Sequence, residues 1–321
     1  MMKRVWIVGM ISIFLIAASS WGQQKKVLIS VATGPTGGVY YPMGGGMANI
    51  LSKHIPYLDA TAEATSASVD NCLLVGRGKA DIALVMADTG WDGYQGSAKF
   101  KERIPLRTIS VLYPNNMHIV TLEGKGIEKV SDLKGKRIST GAPGSGTEIM
   151  ALRILEAYGL DPDKDMTRDR LDPSNSAGAL KDKKIDAFFW VGGLPTASVT
   201  DLGATPGIKI KLIGHADSVP KMREKYGPLY VNGTIPAKSY PGQDRDVPIA
   251  IIWNILVCHE RMKEEVVFDI VKTLFDRKAD LVAVHREARW LSPEFQATGA
   301  SPIPFHPGAV RYFTEKGLKI K

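Results

Sequence analysis

Cysteine is scarce: the 321 residues contain two, Cys72 and Cys258. Two are too few for a disulfide scaffold. Both sit in apolar contexts, NCLLV and ILVCH, so buried free thiols are expected rather than one bridge. The six histidines never pair at ligand spacing, and Cys258-His259 alone is no metal site, so neither metal nor cofactor is expected. Lys and Arg (41) outnumber Asp and Glu (33) for a net charge of +8, yet no block of five like charges occurs. Nucleic-acid binding would want clustered cations beside exposed aromatics, and the sequence has no such cluster. Long hydrophobic runs are missing too. The longest, Val5 to Ala18, falls short of the ~20 residues a membrane span needs. A mean hydropathy of −0.06 excludes a polytopic membrane protein.

That one run has a meaning of its own. Lys3 and Arg4 precede it, and small and polar residues, SSWGQQKK, follow. A charged head, a short apolar run and a small-residue exit describe a secretory signal peptide, with cleavage expected after Gly22. No cysteine follows the run, which argues against a lipoprotein. Loss of Lys3 and Arg4 lowers the net charge of +8 by two, to +6. A basic surface of that kind favours solubility and weak attraction to acidic ligands. At 44% hydrophobic over its full length, the chain can build a real core and is long enough for two domains.

A pattern occurs twice. VLISVATG, from Val27, is a β-branched run closed by glycine and reads as a buried strand. TGPTGGVYYPMGGG follows, then MANILSKHI with apolar residues at helical spacing. Later, KRIST is a strand, GAPGSGTE a glycine loop, and IMALRILEAYGL a helix closed by Gly159. Each unit is followed by an Asp-led strand and turn, GRGKADIALVMADTG and LKDKKIDAFFWVGG. Gly34 and Asp81 lie 47 positions apart, Gly141 and Asp186 45. Two similar α/β lobes would write such a repeat. LRTISVLYPNNMHIVTLEG reads as one or two strands passing between them, and IAIIWNILVCHE as a strand returning, with crossings near residues 114–122 and 245–255. The proline-broken stretch from Pro220 to Gln243 reads as loop. Val266, Val267, Ile270, Val271, Leu274 and Phe275 form one stripe of an amphipathic helix.

GAPGSGTE carries the clearest chemistry. Ser145 and Glu148 have capping-box spacing. Glycines allow close approach to the helix start, where free N–H groups and the positive dipole end make an anion site. The Ser145 and Thr147 hydroxyls can add donors, and a carboxylate fits. A phosphate-binding P-loop would need lysine where Thr147 stands. A nucleophile elbow, G-x-S-x-G, would need glycines where Pro143 and Thr147 stand. A plain capped helix without ligand is the alternative. TGPTGGVYYPMGGG is similar: Thr36, Gly37 and Gly38 offer donors, and Tyr40 or Tyr41 can line a cleft while the other packs. Ser66 and Ser68 precede a further helix, as ligands or caps. Asp88 ends one strand, as cleft residue or helix cap, and Trp190 with Gly192 ends another, as platform or core.

Together, TGPTGGVYYPMGGGMANIL, GRGKADIALVMAD, DLKGKRISTGAPGSGTE, ARWLSPEF and IPFHPGAVRYFTEKG resemble the TAXI class of solute receptors, which serve tripartite ATP-independent periplasmic (TRAP) transporters. The likeness covers nearly all the chain after the leader. It implies an α/β, bilobal type II periplasmic binding protein fold, with two Rossmann-like lobes joined by a hinge. The division expected is leader 1–22, first lobe 23–118, second lobe 119–250, and a return to the first lobe over 251–321. It implies a monomeric, non-enzymatic periplasmic receptor that closes on a small carboxylate (a glutamate-like amino acid, dicarboxylate or oxoacid) and delivers it to TRAP membrane subunits. Thr36, Gly37, Gly38, Tyr40, Ser66, Ala67, Ser68, Asp88, Ser145, Gly146, Thr147, Trp190, Val191 and Gly192 should then bind ligand. The family often has glycine–serine near Ala67-Ser68 and glutamine near Met86; Ala67 and Met86 depart from that. HPGAVRY is expected to be structural. No isolated arginine declares itself as a carboxylate clamp, although Arg77, Arg103, Arg153 and Arg223 are candidates. An enzyme on the same fold, or a binding protein reporting to a sensor, are the alternative readings.

Overall fold

The computed structural model describes residues 26–320, so the signal peptide read at 1–22 lies outside the described residues. The first lobe opens with β1 (Val27–Ala32), α1 (Tyr40–His54), β2 (Leu58–Glu63), α2 (Ser68–Gly76), β3 (Ile82–Met86) and α3 (Ala87–Gln95). A long strand, β4 (Leu106–Leu122), leads to β5 (Arg137–Ser139), α4 (Gly146–Ala157), β6 (Thr167–Asp169), α5 (Pro173–Lys181), β7 (Ala187–Gly192), α6 (Ala197–Gly203), β8 (Ile210–Leu212), α7 (Val219–Tyr226) and β9 (Val231–Ile235). A second long strand, β10 (Val247–His259), returns to α8 (Glu264–Asp276), α9 (Lys278–Val284), α10 (Pro293–Gln296) and α11 (Pro307–Glu315).

The strands run β2-β1-β3-β10-β4-β7-β5-β6, with β8 added to β4 and β9 to β10. β1, β2 and β3 are parallel, as are β5, β6 and β7, while β4 and β10 run antiparallel to their neighbours. β4 is one continuous strand: Leu106–Asn116 pairs with β10, and Asn116–Thr121 pairs with β7. β10 pairs with β9 through residue 251 and with β3 after residue 253. Its register against β4 shifts between Trp253 and Ile255 and again between Leu256 and Val257. The two long strands therefore tie the lobes together, which is the arrangement of a bilobal mixed α/β periplasmic binding protein fold.

The repeated Asp has one structural job in both lobes. The Asp81 carboxylate accepts the Ser30 N–H at 2.8 Å and the Ser30 hydroxyl at 2.9 Å. The Asp186 carboxylate accepts the Arg137 N–H at 3.0 Å. Each carboxylate pins the start of a lobe's third strand to its first strand. The run AFFWV reads without alternation because β7 is buried on both faces. Phe188 and Trp190 enter a core of the second lobe, while Phe189 and Val191 join the larger core that spans both lobes.

Cys72 and Cys258 are buried free thiols. The amphipathic stripe forms α8, but the helix breaks at Arg277 and α9 starts anew. In HPGAVRY, His306 caps α11 by accepting the Gly308 N–H at 3.2 Å. A Cβ on Gly308 would lie 2.3 Å from the Glu264 carbonyl, so glycine is needed for α11 to dock on α8. The stretch read as loop from Pro220 to Gln243 instead holds most of α7 and all of β9. Proline at the first turn of α7 costs no hydrogen bond, so Pro220 begins a helix rather than breaking one.

Candidate ligand-binding cleft

β1, β3, β5 and β7 all end at the boundary between the lobes, and helices start there. The first N–H groups of a helix have no partner within it, so each start presents donors and positive potential. The starts of α1, α2, α4 and α5 surround one cavity. Gly38, Tyr40, Ser66, Ala67, Ser68, Ser145, Gly146, Thr147, Trp190, Val191 and Gly192 line it, all of them expected from the sequence. Pro35, Val39, Met86, Gly141, Ala142, Leu171, Asp172 and Pro173 complete the wall with Tyr113 and Asn115.

The lobes touch across this cavity. The N–H groups of Val69 and Asp70, at the start of α2, both donate to the Gly144 carbonyl at 3.1 Å. A Cβ on Gly146 would fall 2.4 Å from Met86 Sδ and 2.9 Å from Ser68 Oγ; on Gly38, it would fall 2.8 Å from the Trp190 ring. Glycine at both positions lets the lobes close to this distance. Ala67 holds φ 82° and ψ −141°, a conformation proper to glycine, at the start of α2. Strain of this kind, in a cavity wall, costs on the order of 1–3 kcal/mol and persists where the surroundings impose it.

Ser145 caps α4: its Oγ accepts the Glu148 N–H at 3.1 Å and donates to the Ala142 carbonyl at 2.6 Å. With its hydroxyl committed within the loop, Ser145 offers a ligand less than the sequence suggested. Glu148 does not close the capping box. Its carboxylate pairs with Arg170 (2.5 and 2.9 Å) and Arg168 (3.3 Å), while the Ser145 N–H goes to Ala142. What α4 presents to the cavity is the backbone of Gly146 and Thr147. The Thr147 hydroxyl also accepts the Val191 N–H at 3.4 Å, which sets α4 against β7.

Trp190 is both core and wall. It is 8% exposed, and its indole N–H donates to Thr196 Oγ1 at 2.9 Å. His118 behind it is 0% exposed. Its Nδ1 lies 2.8 Å from the Asn116 carbonyl, and the Tyr240 hydroxyl donates to its Nε2 at 2.8 Å. Burial drives the His118 pKa down to about 4, so the ring is neutral at physiological pH.

Three expected residues lie elsewhere. Thr36 is exposed, and Gly37 touches the second lobe outside the cavity, a Cβ there falling 2.1 Å from Ser174 Oγ. Asp88 is turned away from the cavity into an ion cluster that crosses the lobe boundary. Arg153 of α4 pairs with Asp88 at 3.2 Å and Asp92 at 2.5 Å, both on α3. Tyr230 accepts from Arg153 at 2.7 Å and donates to Asp88 at 2.6 Å. Burial raises the Asp92 carboxyl above its usual range, and Arg153 offsets this only in part. Arg77, Arg103 and Arg223 do not line the cavity either, so none of the four candidate arginines clamps a ligand there.

A family model matches residues 31–317 of this chain. The chain belongs to the NMT1-like family. Among solved structures, this NMT1-like chain resembles one from Bordetella bronchiseptica RB50 at 17% identity and TM-score 0.50, over 90% of this chain and 89% of that one. It resembles Tv2483 bound to L-arginine at 12% identity and TM-score 0.50, over 82% and 90%. A putative L-cystine ABC transporter from Listeria monocytogenes aligns at 16% identity and TM-score 0.49, over 82% and 95%. What is shared at such identities is the fold.

Proposed function

We propose that this NMT1-like protein is an extracytoplasmic solute-binding receptor, not an enzyme, that captures a small carboxylate by hinge closure. The observation that carries the reading is the cavity between lobes into which the N-terminal ends of α1, α2, α4 and α5 open. Their dipoles and free N–H groups favour an anion. Gly146 and Thr147 supply the donors best placed for a carboxylate, and closure would exclude water and strengthen those bonds. β4 and β10, with their register shifts, are where the lobes would pivot, dividing the chain near residues 118 and 250. The finer assignment, a periplasmic monomer delivering cargo to the membrane subunits of a TRAP transporter, rests on the motif resemblance.

Thermal unfolding of the chain from Gln23, stripped of small molecules by unfolding and refolding, tests the reading. A carboxylate at ~100 times its dissociation constant should stabilise by about 2.7 kcal/mol. Stabilisation by nucleotides or sugars alone would contradict it.

A further inference from the structure

Among the described residues, two that line the cavity carry a buried polar atom with no hydrogen-bond partner: the Tyr113 hydroxyl and Asn115 Oδ1. Both residues are nearly inaccessible, at 1% and 2% exposure, and both come from β4, two positions apart. A buried polar group left unpaired is costly, so a pair of them in a ligand cavity points to what the ligand brings.

The surroundings decide which way Asn115 faces. Asn254 on β10 donates through Nδ2 to the Tyr113 carbonyl at 3.1 Å, which turns its Oδ1 toward Asn115 and Tyr40. That oxygen accepts from Asn115 Nδ2 at 2.7 Å and from the Tyr40 hydroxyl. Asn115 Oδ1 is therefore the atom left over, and it can only accept. The Tyr113 hydroxyl carries a proton it must donate, and can accept as well. One ligand hydroxyl satisfies both, donating to Asn115 Oδ1 while accepting from Tyr113.

The rest of the wall narrows the choice. Among the described residues no Arg, Lys or His lines the cavity, so a second carboxylate would have no cation to meet there. The one acidic residue in the wall among the described residues, Asp172, already accepts the Asn175 N–H at 3.0 Å and the Asn175 side-chain amide at 2.5 Å. An α-ammonium would thus have only this carboxylate, already engaged as the cap of α5, as a charged partner. An oxo group would serve Tyr113 but leave Asn115 Oδ1 without a donor.

We infer that the ligand is a small hydroxy monocarboxylate, its hydroxyl read by Tyr113 and Asn115 and its carboxylate held at the start of α4. The inference rests on the receptor reading and sharpens its substrate class. The test is calorimetric titration of the refolded chain with 2- and 3-hydroxy acids of three to six carbons. Matched deoxy, oxo, amino and dicarboxylic acids form the comparison set. The hydroxy acid should bind at least about tenfold more tightly than its deoxy partner. In Tyr113→Phe that gap should collapse, while the ligand-free melting temperature stays at or above wild type, because the lost hydroxyl has no partner in the protein. Equal or tighter binding of the deoxy, oxo, amino or dicarboxylic acid, or a gap that survives Tyr113→Phe, overturns the inference and leaves the receptor reading standing. No binding by any carboxylate overturns both.

Discussion

Arg153 offers the sharpest separation between holding the fold and holding the lobes together. It belongs to α4 of the second lobe, and its two partners, Asp88 and Asp92, belong to α3 of the first. The side chains are 8%, 1% and 12% exposed, so solvent does not screen the pair as it does a surface ion pair. Its guanidinium also stacks 4.3 Å from the Tyr226 ring. Arg153→Met keeps much of the volume and removes the charge, leaving two carboxylates buried against each other. Removing one partner from a buried pair costs about 3–5 kcal/mol. When the lobes part, both carboxylates regain water, so the cost falls on the closed form. Affinity for the cleft ligand should drop about a hundred- to several-thousandfold at about 1.4 kcal/mol per tenfold. Small-angle scattering of the ligand-free variant should show a larger radius of gyration than wild type. The triple variant Arg153→Met, Asp88→Asn, Asp92→Asn should recover much of the affinity, since no charge is stranded. A single variant that stays compact and binds as wild type does would refute the argument. So would one that loses the whole 3–5 kcal/mol in thermal unfolding without any change in affinity.

Further expectations follow from single sites. Ala67→Gly relieves the φ of 82° and should raise stability by about 1 kcal/mol, read as a higher melting temperature; a fall would show that the strain is absent. Ser145→Ala should cost about 1 kcal/mol of stability through the lost cap while changing ligand affinity little, because the hydroxyl serves Ala142 and Glu148. Burial lowers His118 and His215 from 6.5 to about 4, so each binds fewer protons folded than unfolded between those values. Their contribution is complete above pH 6.5 and is lost as pH falls toward 4, roughly 3 kcal/mol for each ring. Melting curves at pH 7 and 4.5 should differ accordingly, and His118→Gln should flatten the difference.

The lobes were legible because their periodicities repeat: strand, glycine loop, helix, then an Asp-led strand. Asp81 and Asp186 sit at matching places because each pins the same pair of strands. The cavity's helix starts were legible for a related reason, since glycine and hydroxyl residues cluster wherever backbone must face a ligand. Long-range pairing was not. Asp88 and Arg153 lie 65 positions apart, and neither segment hints at the other. Glu148 has the right spacing for a capping box, yet two arginines some twenty residues on offer it charge, which a backbone N–H does not. Tyr113 and Asn115 escaped notice inside VLYPNNMHIV, which reads as a strand crossing between lobes. The one available signal was a pair of polar residues at period two within a run otherwise fit for burial.

A crystal structure of the chain from Gln23 with its tightest-binding carboxylate would test the central claim most directly. The account predicts the ligand in the cavity between the lobes, with its carboxylate oxygens within hydrogen-bond reach, about 3 Å, of the Gly146 and Thr147 N–H groups. A carboxylate held by an arginine, or a ligand bound outside that cavity, would contradict it.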